Sequence, residues 1–171
     1  MVIISHKHRF IIFKSYKTGS TTIENFFSSV LKKNLDSGEY ISGKYKTEKG
    51  HIINKHITPE ELFRLMPKLK SYYKICPIRN PFTQIVSCFI HNNGKIPNER
   101  ELSEYIMKCK YNPSSFNNIK KQHKHLRTYY SYATNKKKEC IDFFIKLENL
   151  DDDIFKIFDK FNITNFNPKR I

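Results

Sequence analysis

Two short segments hold the residues with the most chemical reach. The first, Lys17-Thr18-Gly19-Ser20-Thr21-Thr22, gathers a cation, four hydroxyls and a glycine in six consecutive positions. Hydroxyls and an ammonium all donate hydrogen bonds to oxyanions. Gly19 lets the backbone come close to a ligand and take a positive φ if the turn requires it. The second segment, Arg79-Asn80-Pro81-Phe82-Thr83-Gln84-Ile85-Val86-Ser87, sets a guanidinium eight positions before a hydroxyl. A guanidinium grips a phosphate with two parallel hydrogen bonds, and Ser87 reaches the same group if a helix begins between them. Each segment alone also fits an ordinary capped helix or a surface Arg. Together they suggest a polyanionic ligand.

These residues work only if the chain holds them in place. Arg9 to Phe13 is a short apolar run that reads as a buried strand, and Ile23, Phe26, Phe27, Val30 and Leu31 then recur at helical spacing. The first segment therefore sits between a strand and a helix, at a helix N-terminus whose open N–H groups and partial positive charge suit an anion. Asp36 to Gly50 reads as a loop. Thr58-Pro59-Glu60-Glu61 opens a helix with Thr58 as cap, Pro59 in the first turn and Glu61 closing a capping box; Pro67 marks its end. Tyr72 to Ile78 reads as a second strand, turning at Arg79-Asn80-Pro81 into a helix with Ile85, Val86, Phe89 and Ile90. Residues 99–110 and 115–133 read as helices, Ile141 to Leu147 as a third strand, and Asp151 to Phe161 as a last helix. Acids fill that helix's first turn, where they suit the dipole, and Phe155, Phe158 and Phe161 are expected in the core.

Strands alternating with helices predict an α/β fold with a mainly parallel central sheet flanked by helices in three layers. The 171 residues suit one domain, 1–171. In such sheets ligands bind beyond the carboxyl ends of the strands. Both segments leave from that end, so they can share one site.

Lys and Arg outnumber Asp and Glu by 31 to 16, a formal charge of +15. That favours nucleic acid, an anionic membrane surface or a polyanionic small ligand, although a Lys-, Asn- and Ile-rich composition also gives charge of this sign without a partner. Cys76, Cys88, Cys109 and Cys140 form no CxxC pair and no zinc-ligand spacing; reduced thiols and no metal are expected. The N-terminus is unlike a signal peptide, because its charges follow the apolar residues. With no run long enough for a membrane span, a cytoplasmic location is expected.

Taken in order and context, the two segments resemble the cofactor-binding segments of the sulfotransferase superfamily. That family holds the 5′-phosphosulfate of 3′-phosphoadenosine 5′-phosphosulfate (PAPS) with a strand-loop-helix of the form PK(T)xGT(S/T)(S/I). It holds the 3′-phosphate with R(N/D)Pxx(R)xxS. A third likeness is Phe144 to Asp153, which resembles the family's strand, E-x-L and acidic helix start. The sequence departs from the pattern at Tyr16, where Pro is usual, and at Gln84, where many relatives carry Arg. It ends at Ile171, shorter than most relatives, so a reduced C-terminal cover over the cofactor is expected.

The resemblance, to the carbohydrate sulfotransferase branch, implies a P-loop-like fold and sulfuryl transfer from PAPS to a hydroxyl or amine acceptor, a carbohydrate such as a glycan or another small molecule, leaving adenosine 3′,5′-bisphosphate. Lys17 is the implied catalytic cation; Lys17, Thr18, Gly19, Ser20, Thr21, Thr22, Arg79 and Ser87 are the implied cofactor contacts. A hydroxyl acceptor needs a base. His56, in Asn54-Lys55-His56-Ile57-Thr58-Pro59 ahead of a capped helix, is the first choice and His51 the second. His6, His8, His91, His123 and His125 read as surface histidines, and Glu148 as a structural residue closing the third strand. Two other classes stay open: a nucleotide-dependent phosphoryl-transfer enzyme, though GxxxxGK[ST] is missing, and a basic module binding nucleic acid or another polyanion without catalysis. A sulfotransferase fold that binds without catalysing is a further possibility.

Overall fold

A computed structural model describes residues 2–31, 45–46, 52–53, 56–111, 134–135 and 138–164. The expected helix over 115–133 and residues His51, His123 and His125 lie outside these, as does most of the expected loop over 36–50.

The chain begins with a strand that the sequence reading did not single out. β1 (Ile3–Ser5) turns back through residues 6–9 and pairs antiparallel with β2 (Phe10–Ile12). β2 lies parallel to β5 (Tyr73–Ile78), with Phe10 opposite Tyr73. β5 lies parallel to β8 (Phe143–Lys146), with Ile75 opposite Phe143. The sheet order is β1-β2-β5-β8. It is the mainly parallel sheet expected, with an antiparallel edge strand added. Two small antiparallel pairs stand apart: β3 (Tyr45–Lys46) with β4 (Ile52–Ile53), and β6 (Thr134–Asn135) with β7 (Lys138–Glu139). The β3 strand falls inside the segment expected to be loop.

Strand side chains alternate between the two faces of a sheet, and the core divides accordingly. Ile3, Phe10, Ile12, Ile75 and Ile145 pack on one face against α1 (Ser20–Leu31) and α5 (Leu150–Lys160), through Ile23, Phe26, Phe27, Ile154, Ile157 and Phe158. Ile4, Ile11, Phe13 and Cys76 pack on the other face with Leu62 and Phe63 of α2 (Pro59–Leu65). Helix, sheet and helix make the three layers. Near-continuous apolar strands are what a parallel sheet covered on both faces requires. Phe155 departs from the expectation: it is 39% exposed. The inward stripe runs 154, 157, 158, and position 155 falls on the outer side of it.

The capping box on α2 forms as read: Thr58 accepts from the Glu61 N–H, and Glu61 accepts from the Thr58 N–H. α3 (Pro81–Asn93) is capped by Asn80, whose side chain accepts from the Phe82 N–H at 2.9 Å, and it ends at Gly94 with φ 72°. α4 (Glu99–Tyr111) follows and packs on α3, with the Phe89 and Tyr105 rings edge to face at 5.3 Å.

Candidate functional site

The loops beyond the carboxyl ends of β2, β5 and β8 interlock. In the first, Lys17 has φ 59° and Gly19 φ 68°. A left-handed conformation costs a residue with a Cβ roughly 1–2 kcal/mol, so strain at Lys17 marks a place where geometry outranks local comfort. Buried bonds hold it there. Ser15 Oγ donates to the Pro77 carbonyl of β5 and lies 2.9 Å from Thr18 Oγ1, which donates to the Ser15 carbonyl at 3.2 Å. Thr18 is 2% exposed, so its hydroxyl shapes the loop from inside.

The second loop is tied to the first. Arg79 Nη1 donates to the Lys17 carbonyl at 3.4 Å, and Gln84 Nε2 donates to the Tyr16 carbonyl at 2.8 Å. Gln84, where relatives often carry Arg, is thus a latch between loops. The third loop buttresses both. Glu148 Oε1 accepts from the Asn80 N–H at 2.8 Å, a structural role as expected. Leu147 lies over Gly19 so closely that a Cβ built there would stand 2.4 Å from Leu147 Cδ1. Glycine at 19 is favoured by its φ, while the overlap with the tip of Leu147, a flexible side chain, would be relieved by a small shift.

A cleft of about 410 Å³ opens where these loops meet, lined by Lys14, Tyr16, Lys17, Gly19, Ser20, Thr21, Thr22, His56, Arg79, Ser87, His91 and Leu147. Eight of the nine site residues read from the sequence stand on it; Thr18 is the one turned away. The first bond of α1 runs from the Ile23 N–H to the Gly19 carbonyl at 3.1 Å. The N–H groups of Ser20, Thr21 and Thr22 precede it and have no intrahelical acceptor. They supply the donors and partial positive charge of an anion site.

Cations surround this floor. Among the described residues Lys17 and Arg79, which line it, have no carboxylate partner, while Lys14 is paired with Glu24 at 2.6 Å. His56 stacks on Tyr16, with ring centroids 3.7 Å apart, and its Nδ1 lies 2.8 Å from the Lys14 carbonyl. A carbonyl only accepts, so Nδ1 carries a proton, and whenever the ring is neutral the lone pair is on Nε2. That tautomer suits a base.

His91 is exposed, as read from the sequence, and it also stands on the cleft. It follows Ser87 by four positions on α3, the spacing that puts two side chains on one helix face. That spacing was the available signal. His6 and His8 sit in the turn before β2, at the opposite end of the sheet. Among the described residues no cluster of three or more His, Cys, Asp or Glu side chains could hold a metal, and no helix is long and apolar enough to cross a membrane.

The protein is a three-layer α/β domain with a basic, amide-lined cleft beyond its parallel strands, the place where such folds hold ligands. A family model described as the sulfotransferase family matches residues 1–169, and the chain belongs to that family. No curated protein and no solved structure matches it.

Proposed function

We propose that this chain is a PAPS-dependent sulfotransferase acting on a hydroxyl or amine acceptor. The observation that carries this reading is the convergence of Lys17, Gly19, Ser20, Thr21, Thr22, His56, Arg79 and Ser87 on one cleft. The residues fit the donor's charges. Gly19 provides a close backbone approach, the α1 N-terminus provides amide donors for a phosphosulfate, and Arg79 with Ser87 suits a second phosphate.

When bound, the donor supplies a sulfur whose bond to the phosphate oxygen breaks as the acceptor's bond to sulfur forms, the electron pair leaving on adenosine 3′,5′-bisphosphate. Lys17 opposes the negative charge that grows on the leaving oxygen, a preorganised electrostatic contribution. The Ser20, Thr21 and Thr22 N–H groups hold the non-reacting oxygens. His56 takes the acceptor's proton at Nε2, with Nδ1–H held by the Lys14 carbonyl fixing the ring.

The test is a thermal-shift or calorimetric titration with adenosine 3′,5′-bisphosphate, adenosine 5′-monophosphate and ATP. A ligand that binds only the folded state raises its stability by mass action. The expected result is binding that requires the 3′-phosphate and falls in both Lys17→Ala and Arg79→Ala. Equal binding of ATP, or none of any nucleotide, would overturn the reading in favour of phosphoryl transfer or a polyanion-binding module.

A further inference from the structure

A second cavity of about 610 Å³ adjoins the cleft, and Lys17, Arg79, Ser87 and His91 line both. Three of these four already have a part in the donor reading. His91 has none. It is exposed in the last turn of α3, four positions after Ser87, the spacing that sets two side chains on one helix face. Its imidazole therefore borders the corner where the Ser87 hydroxyl and the Arg79 guanidinium meet.

That corner is short of donors and of charge for the group given to it. A phosphate monoester carries a charge of about −1.5 to −2 at neutral pH, spread over its terminal oxygens. Arg79 brings one positive charge, and part of its guanidinium is already used. Its Nε donates to Thr83 Oγ1 at 3.0 Å and its Nη1 to the Lys17 carbonyl at 3.4 Å. Gln84 is turned away to the Tyr16 carbonyl. Ser87 adds a hydroxyl and no charge. An imidazole beside it adds a ring N–H, and in its protonated form a second positive charge. Among the described residues no carboxylate lines either space to compete for these donors.

We propose that His91 is a further ligand of the donor's second phosphate, joining Arg79 and Ser87 to select a nucleotide that carries a 3′-phosphate. The inference rests on the PAPS reading of the cleft. It gives a binding role to a residue that lies beyond the Arg79 to Ser87 segment, on the same helix and the same face. Hydrogen bonds to an ionised acceptor are stronger than neutral ones, so the loss of this one is measurable.

The experiment is calorimetric titration of the full chain with adenosine 3′,5′-bisphosphate and adenosine 5′-monophosphate. It is run on the wild type, His91→Ala, His91→Gln and His91→Arg; the position is exposed, so the variants are expected to fold, with circular dichroism as the check. His91→Ala is expected to weaken bisphosphate binding about tenfold, the worth of one hydrogen bond to a charged group, and to leave monophosphate binding within about twofold. His91→Arg should keep the preference for the bisphosphate, and His91→Gln should fall between. Bisphosphate affinity that ignores His91→Ala overturns the proposal. An equal loss for both nucleotides also overturns it, because His91 would then act on the part that they share. Failure of the PAPS reading shows in the wild type itself, which would bind the two nucleotides alike or neither, and the role of His91 falls with it. A wild type that prefers the bisphosphate, with that preference intact in His91→Ala, removes His91 alone.

Discussion

Between β2 and α1, Ser15 and Thr18 are 1% and 2% exposed and bonded to each other and to β5, whereas none of the described side chains of α4 is buried. Lys17 of the loop and Leu102 and Ile106 of α4 line one cavity. The loop is held from below by the sheet, from one side by Arg79 and Gln84, and from above by Leu147. The α3–α4 arm is held by Phe89 against Tyr105, a bond from Asn92 Nδ2 to Tyr105 Oη at 3.0 Å, and its caps. Charge stabilisation in a transition state needs donors fixed before the reaction.

If this contrast holds, the largest effect comes from the loop's cation. Lys17→Ala is expected to lower turnover by about 10²–10³, the range seen when one preorganised charge-stabilising group is removed, with the fold intact by circular dichroism. Wild-type turnover in that variant would break the contrast at its strongest point.

Gly19→Ala comes next. It adds a left-handed Cβ, expected to cost about 1–2 kcal/mol in denaturant unfolding, and an overlap that the tip of Leu147 relieves by shifting. Adding Leu147→Ala should recover the overlap but leave the φ penalty, so the double-mutant cycle separates the two causes.

The support beneath Leu147 is tested through pH. Asp153 is buried, and burial alone would raise its pKa. The Lys146 N–H, the Lys156 ammonium and Asn149 outweigh that and hold it below the usual carboxylate range. A lowered folded-state pKa gives stability that is present above the unfolded value and lost as pH falls through the folded one. Asp153→Asn should therefore lose about 1–3 kcal/mol at neutral pH. It should also flatten the acid limb of a stability–pH profile below about pH 4.

Two smaller substitutions sharpen the comparison. Gln84→Leu removes the latch on the Tyr16 carbonyl and is expected to cost about 1 kcal/mol, with weaker nucleotide binding by calorimetry. Phe82→Ser, on the arm, should leave unfolding stability within about 0.5 kcal/mol of wild type. A large loss there would mean that the arm is as tightly integrated as the loop.

Much of this was legible in the sequence because local chemistry and tertiary demand agree. The apolar runs at Phe10 to Phe13 and Tyr72 to Ile78, the helical stripe from Ile23 to Leu31 and the Thr58 capping box each name their element. Of the eight expected site residues that line the cleft, seven followed from two strand ends and His56 from the segment before α2. What escaped depends on contacts between distant segments. β1 is three residues long and gains its pairing only from β2. The overlap of Gly19 with Leu147 joins positions that no local pattern links. Phe155 misled because a three-residue spacing drifts off a helix face within two turns, while the stripe at 154, 157 and 158 holds. Asp153 looked like one of three dipole-matching acids, yet it alone of the three is buried.

The loop carrying Lys17 and the turn carrying Arg79 hang from β2 and β5, which are adjacent and in parallel register. Neighbouring strands stand about 4.8 Å apart, so the sheet acts as a gauge with its pitch fixed by backbone hydrogen bonds. Drift in loop sequence can retune what each site grips, but resetting the gauge would mean breaking a ladder in the core. Selection on this protein can therefore change the side chains of these loops more easily than the spacing between Lys17 and Arg79.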